Sequence, residues 1–119
     1  MQDFRELKVW EKGHELALAV YRSTATFPKA ELFGLTSQMR RSAVSIPANV
    51  AEGCCRGGDT EFARFLQIAM ASSSELKYYL MLAHDLEFMS AADSQQLIEQ
   101  VNEVQKMLAS LIRRLRAKS

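Results

Sequence analysis

Glu11 and His14 stand three residues apart, a spacing that places a carboxylate and an imidazole on one helix face. A carboxylate-bridged dimetal bundle uses such a pair, together with a second Glu-x-x-His and two further inward glutamates. The other histidine, His84, has Met81 three residues before it. Half of that site is missing, so His14 reads as a hydrogen-bonded core or interface residue. Cys54 and Cys55 are adjacent. They lack the spacing of a zinc knuckle, a redox pair or a haem attachment, and no histidine pattern supplies a base. Gly57-Gly58 is a turn signal without the rest of a phosphate loop. No acid–base or nucleophile set converges. The expectation is a protein that is not an enzyme and needs no metal or cofactor.

Charge offers a second chemistry. Arg40 and Arg41 are consecutive, with Arg56 further along. Lys106, Arg113, Arg114, Arg116 and Lys118 follow Glu103 with no acid after it. The plain readings are a helix end that compensates its own dipole, and an Arg41 paired with Glu52 or with a neighbouring subunit. The functional reading is a phosphate-binding surface, because the arginine fork makes paired, charge-assisted bonds to phosphate. Its candidate residues are Arg40, Arg41, Arg113, Arg114 and Arg116. RNA or DNA is then the partner class, and a protein partner without nucleic acid is the alternative. One chain offers few contacts, but repetition in an oligomer would make a weak patch effective.

The elements that must carry these residues are helical. The chain has 119 residues, 48% hydrophobic and 24% charged, with five glycines and two prolines. That composition is globular and favours helix over sheet. Net charge is +1 and pI about 7.8, so no global field points to nucleic acid or membrane. Apolar runs are far too short to span a bilayer. MQDFRELKVW is not a secretory signal. The adjacent cysteines do not make a disulfide framework, which suggests a cytoplasmic location.

Four helical segments follow from periodicity. The first spans about Leu7–Ala25. One stripe, Leu7, Trp10, His14, Ala17, Leu18 and Tyr21, is assigned to the core, and a second, Val9, Gly13, Leu16 and Val20, to an oligomer interface. Phe27-Pro28 ends the helix. The second runs from Leu35 to about Gly53, with Leu35, Met39, Ala43, Ile46 and Val50 facing inward. Pro47 lies in its middle, where a proline costs about 3 kcal/mol unless packing supports it. It is expected to kink the helix, with Ser45 and Asn49 bonding nearby backbone. The third begins with Asp59 or Thr60 as N-cap and reaches about Leu86, its stripe running from Phe62 to Ala83. The fourth follows a Ser90/Asp93 capping box. Its seam is Leu97, Val101, Val104, Leu108, Leu111 and Leu115, a heptad. Short connections between four such helices give an all-α, antiparallel up-down-up-down four-helix bundle, one domain over residues 1–119.

Three long segments, FRELKVWEKGHELALAVYR, FPKAELFGLTSQMRRSAVSIPANVAEG and EFARFLQIAMASSSELKYYL, are more particular than bundle patterning requires. The chain resembles the bacterial "four helix bundle protein" family, whose members include proteins encoded in intervening sequences of large-subunit ribosomal RNA genes. The accessory variability protein of diversity-generating retroelements is a more distant relative. The resemblance implies a four-helix bundle that assembles as a homopentameric ring. For the retroelement relatives it also implies binding to a reverse transcriptase and to nucleic acid. Cys54-Cys55 departs from the aromatic or small residue and glycine that usually follow AEG in that family.

Overall fold

The structure, a computed structural model, describes residues 3–118. Four helices carry the fold: α1 (Lys8–Thr24), α2 (Leu35–Cys54), α3 (Asp59–Asp85) and α4 (Ala91–Lys118). No strand occurs among the described residues. α1 packs on α2, α2 on α3, α3 on α4, and α4 returns to α1. With short connections at 55–58 and 86–90, this is the up-down-up-down order. The molecule measures 45 × 22 × 20 Å.

The core forms from one inward stripe per helix. Met39, Ala43, Ile46 and Val50 of α2 meet Leu66, Ala69, Leu76 and Leu80 of α3, and Val101, Val104 and Leu108 of α4 close the far side. All are essentially inaccessible, each contributing about 1 to 3 kcal/mol of burial for a large aliphatic side chain.

On α1 the two stripes exchange roles. Val9, Gly13, Leu16 and Val20, expected at an oligomer interface, are buried inside the bundle. Of the stripe assigned to the core, Ala17 is buried, Leu7 and Trp10 are half-buried, and His14, Leu18 and Tyr21 are exposed. The reason is steric. The approach of α1 to α2 passes through Gly13, where an added Cβ would sit 3.3 Å from Ile46 Cγ2 and 3.6 Å from Pro47 Cδ. A bulky residue such as Trp10 could not take that place.

α2 runs unbroken through Pro47, which is buried. Asn49 supports this turn by donating from Nδ2 to the Ser45 carbonyl at 2.7 Å. It does not reach the Ala43 carbonyl, which the missing proline N–H leaves without its usual donor. Ser45 bonds across the interface instead, 2.7 Å from the Ser72 hydroxyl of α3. The close packing here follows from small residues on α3.

Two end signals differ from expectation. Gly58, not Asp59 or Thr60, occupies the N-cap of α3, and no side chain caps it. Ser90 Oγ accepts from Asp93 N at 3.1 Å, the serine half of the capping box. α3 ends in a Schellman turn: Phe88 N donates to Ala83 O at 2.9 Å, and Glu87 takes the left-handed conformation with φ 65°. Phe88 then packs on Phe27, ring centres 5.7 Å apart, tying this turn to the α1–α2 connection.

The α4 seam holds at Leu97, Val101, Val104, Leu108 and Leu115 and departs from expectation at one position. Ile112 is buried in place of Leu111, which is half-buried. A straight helix drifts by about 20° per heptad, and here the drift turns Leu111 outward.

Candidate interaction surfaces

The exposed stripe of α1 is aromatic and continuous. Phe4 meets Trp10 edge-on at 5.2 Å, and Trp10 stacks on the exposed His14 ring at 4.9 Å. One and two turns on come Leu18, 44% exposed, and Tyr21, 46% exposed. The Arg40 guanidinium of α2 lies 4.6 Å from the centre of the Tyr21 ring. Val44, one turn further along α2, is 42% exposed. These residues border the outer side of the α1–α2 seam.

Glu11 and His14 each face another side chain of α1. Glu11 lies 3.9 Å from Lys8, and His14 is committed to the Trp10 face. No group of three or more His, Cys, Asp or Glu side chains able to hold a metal occurs among the described residues. Cys54 is buried and Cys55 exposed, with no disulfide between them. Burial, and then the neighbouring Cys55, push the Cys54 thiol above the usual range.

The candidate arginines separate into different environments. Arg40 is spent on structure. Its Nε donates to Thr24 Oγ1 at 2.9 Å, while Thr24 Oγ1 donates to Val20 O at 2.8 Å, so Arg40 fastens the end of α1 to α2. Arg41 is exposed, and its expected partner Glu52 lies 3.7 Å from Arg56. Arg56 and Arg64 both rest on Phe65, 5.0 and 4.7 Å from its ring centre, and Arg64 is also held by Glu61 at 3.0 Å. Arg113, Arg114 and Arg116 are exposed near the end of α4. Arg41 sits near the start of α2, which runs parallel to α4. Ser45 of α2 and Gln105 of α4 bond the neighbouring Ser72 and Ser73 of α3, which fixes the register; at 1.5 Å per residue the two clusters lie roughly 20 Å apart along the bundle, so they do not make one patch within a chain.

The α4 cluster itself divides by helical angle. Arg114 belongs to a ridge of i, i+4 neighbours, Lys106, Ser110, Arg114 and Lys118, whereas Arg113 and Arg116, three residues apart, share another face of the helix. Beside the ridge runs an apolar row, Met107, Leu111 and Leu115. Together with the starts of α1 and α3 these rows enclose a groove of about 560 Å³. Lys8, Lys106 and Lys118 were not among the candidate residues. The i, i+4 row Lys106, Ser110, Arg114 and Lys118 was visible in the sequence, but the burial of Ile112 in place of Leu111 was not.

The sequence profile of the 23S rRNA-intervening sequence proteins matches residues 5–110. The chain belongs to the 23S rRNA-intervening sequence protein family. A solved structure of similar fold is a protein of unknown function from the S23 ribosomal protein family of Bacteroides thetaiotaomicron VPI-5482. It is 26% identical to this chain, covers 87% of it and 97% of its own length, and superposes with a TM-score of 0.79. No curated protein matches the chain. The profile takes in α1, α2, α3 and α4 to Ser110. In this family member the arginines Arg113, Arg114 and Arg116 lie beyond the matched region. No helix among the described residues is long and apolar enough to cross a membrane.

Proposed function

We propose that this chain is a non-enzymatic subunit of a homo-oligomeric ring, five copies by family resemblance, that serves as a scaffold for nucleic acid or a ribonucleoprotein partner. The observation that carries the reading is the outward stripe of half-buried Trp10 and exposed His14, Leu18 and Tyr21, continued by Val44. A contiguous apolar face of this kind is what a subunit interface covers. It replaces the stripe Val9, Gly13, Leu16 and Val20, which the chain needs for its own core. In a ring, Arg41, Arg113, Arg114 and Arg116 recur once per subunit, so separated cations become a repeated array, and phosphate binding gains by multivalency.

The test is mass by light scattering, with and without RNA. The expected mass is near five chains, and Leu18→Glu with Tyr21→Glu should give folded monomer. RNA binding should weaken steeply with salt, because each neutralised phosphate releases a counterion. A monomeric wild-type protein at micromolar concentration, or RNA binding indifferent to salt, would sink the reading. The roughly 20 Å between the two basic clusters favours the second reading, a protein-interaction module with no nucleic acid. Recovery of a polypeptide partner after nuclease treatment, with no RNA binding at low salt, would select it.

A further inference from the structure

The groove at the open end of the bundle combines two features that a merely solvated helix end does not need. Its wall is apolar, with Phe62 from α3 and Met107 and Leu111 from α4 all half-exposed to it. Its rim carries Lys106, Arg114 and Lys118, all exposed and without an ion pair among the described residues, and Lys8 faces them across the groove. Among the described residues Asp59 is the single carboxylate of the lining. Arg114 and Lys118 are like charges at i, i+4, an arrangement unfavourable in itself and relieved by an anion lying between them.

We infer that this groove binds a medium-chain acyl carboxylate, its chain along Met107, Leu111 and Phe62 and its head group between Arg114 and Lys118. The volume falls within the ordinary range of small-molecule sites. The wall is largely aliphatic and offers one ring, so it has no second face to sandwich a nucleobase. A base buried there would also leave its polar edge largely unpaired. An unbranched chain has no such edge, and its only polar group meets the cations. The inference does not depend on RNA binding or on the size of the ring.

The test uses decanoate below its micellar concentration, followed by calorimetry and by displacement of anilinonaphthalene sulfonate from the full-length protein. One decanoate per chain is expected, with decanol bound at least tenfold more weakly. Arg114→Gln and Lys118→Gln together should raise the dissociation constant at least tenfold. Met107→Glu, which places a like charge in the wall, should do the same while leaving Arg41, Arg113 and Arg116 untouched. Circular dichroism and oligomer mass should be unchanged in both variants. Decanol binding as well as decanoate, both variants retaining wild-type affinity, or adenosine monophosphate displacing the probe as well as decanoate would each overturn the assignment. So would co-sedimentation with phosphatidylglycerol vesicles that free decanoate does not compete away, since that would make the groove a membrane-docking surface.

Discussion

Gly13 of α1 faces Pro47 of α2. A β-carbon on Gly13 would lie 3.6 Å from both the nitrogen and the Cδ of the proline, and 3.3 Å from Ile46 Cγ2. The ring that has no N–H to donate is thus packed against the residue that has no side chain, and the two helices approach closely where α2 is weakest in backbone bonding. Gly13→Ala gains about 0.5 to 1 kcal/mol of helix propensity and loses a comparable amount to the tight Ile46 contact, so near-neutral stability is expected. Gly13→Leu should cost about 1 to 3 kcal/mol by overpacking. In a double-mutant cycle with Pro47→Ala, the Gly13→Leu penalty should shrink by at least about 0.5 kcal/mol, the coupling expected of residues in contact. Additive penalties in urea unfolding would show that the pair does not act together.

Gly53 is a harder constraint. A β-carbon there would meet Phe65 Cβ at 2.7 Å and the Phe62 carbonyl oxygen at 3.3 Å. Atoms that close to the α3 main chain cannot escape by a rotamer change. Gly53→Ala should lose about 2 to 3 kcal/mol despite its better helix propensity, in contrast to Gly13→Ala. A midpoint in urea equal to that of wild type would contradict the α2–α3 geometry.

Glu87 holds a left-handed conformation at φ 65°, a conformation that costs an ordinary L-residue about 1 to 2 kcal/mol. Glu87→Gly relieves the strain but adds backbone entropy to the unfolded chain. The net expectation is a stabilisation of up to about 1 kcal/mol, visible as a higher melting temperature. Glu87→Val should destabilise, since branching at Cβ crowds this conformation further.

The two cysteines should be distinguishable chemically. Cys55 is exposed and Cys54 is buried with its thiol pushed upward. A thiol reagent at mildly alkaline pH should modify one cysteine per chain rapidly, and Cys55→Ser should remove that fast phase. Because the folded state holds the Cys54 proton more tightly than the unfolded chain does, its contribution to stability is present below the ordinary thiol range. It is lost as pH rises through the raised value. Two equally fast thiols in native protein would contradict the burial of Cys54.

Arg40 and Arg41 are neighbours with opposite expected phenotypes. Arg40→Ala removes the bond to Thr24 and the Tyr21 contact, and should cost about 1 kcal/mol of stability. Arg41→Ala should leave stability within about 0.5 kcal/mol and, on the proposed function, weaken RNA binding and its salt dependence. A stability loss confined to Arg41→Ala would reverse the roles assigned here.

The sequence alone determined four helices, their approximate ends and the inward stripes of α2 and α3, because periodicity of apolar residues is a property each helix carries locally. It also carried the family resemblance, in segments too particular for generic patterning. It left undecided which of two apolar stripes on α1 turns inward. Both have the required spacing, and the choice depends on what α2 presents opposite. Only Gly13 lets α1 meet Ile46 and Pro47 at close range, so Val9, Leu16 and Val20 go into the core, while His14, Leu18 and Tyr21 remain exposed. The same holds at the end of α4. The heptad read from the sequence includes Leu111, but the bundle buries Ile112, because α4 drifts out of a 3.5-residue repeat. That small rotation, which no pattern along one helix encodes, is what sets an apolar row beside Lys106, Arg114 and Lys118.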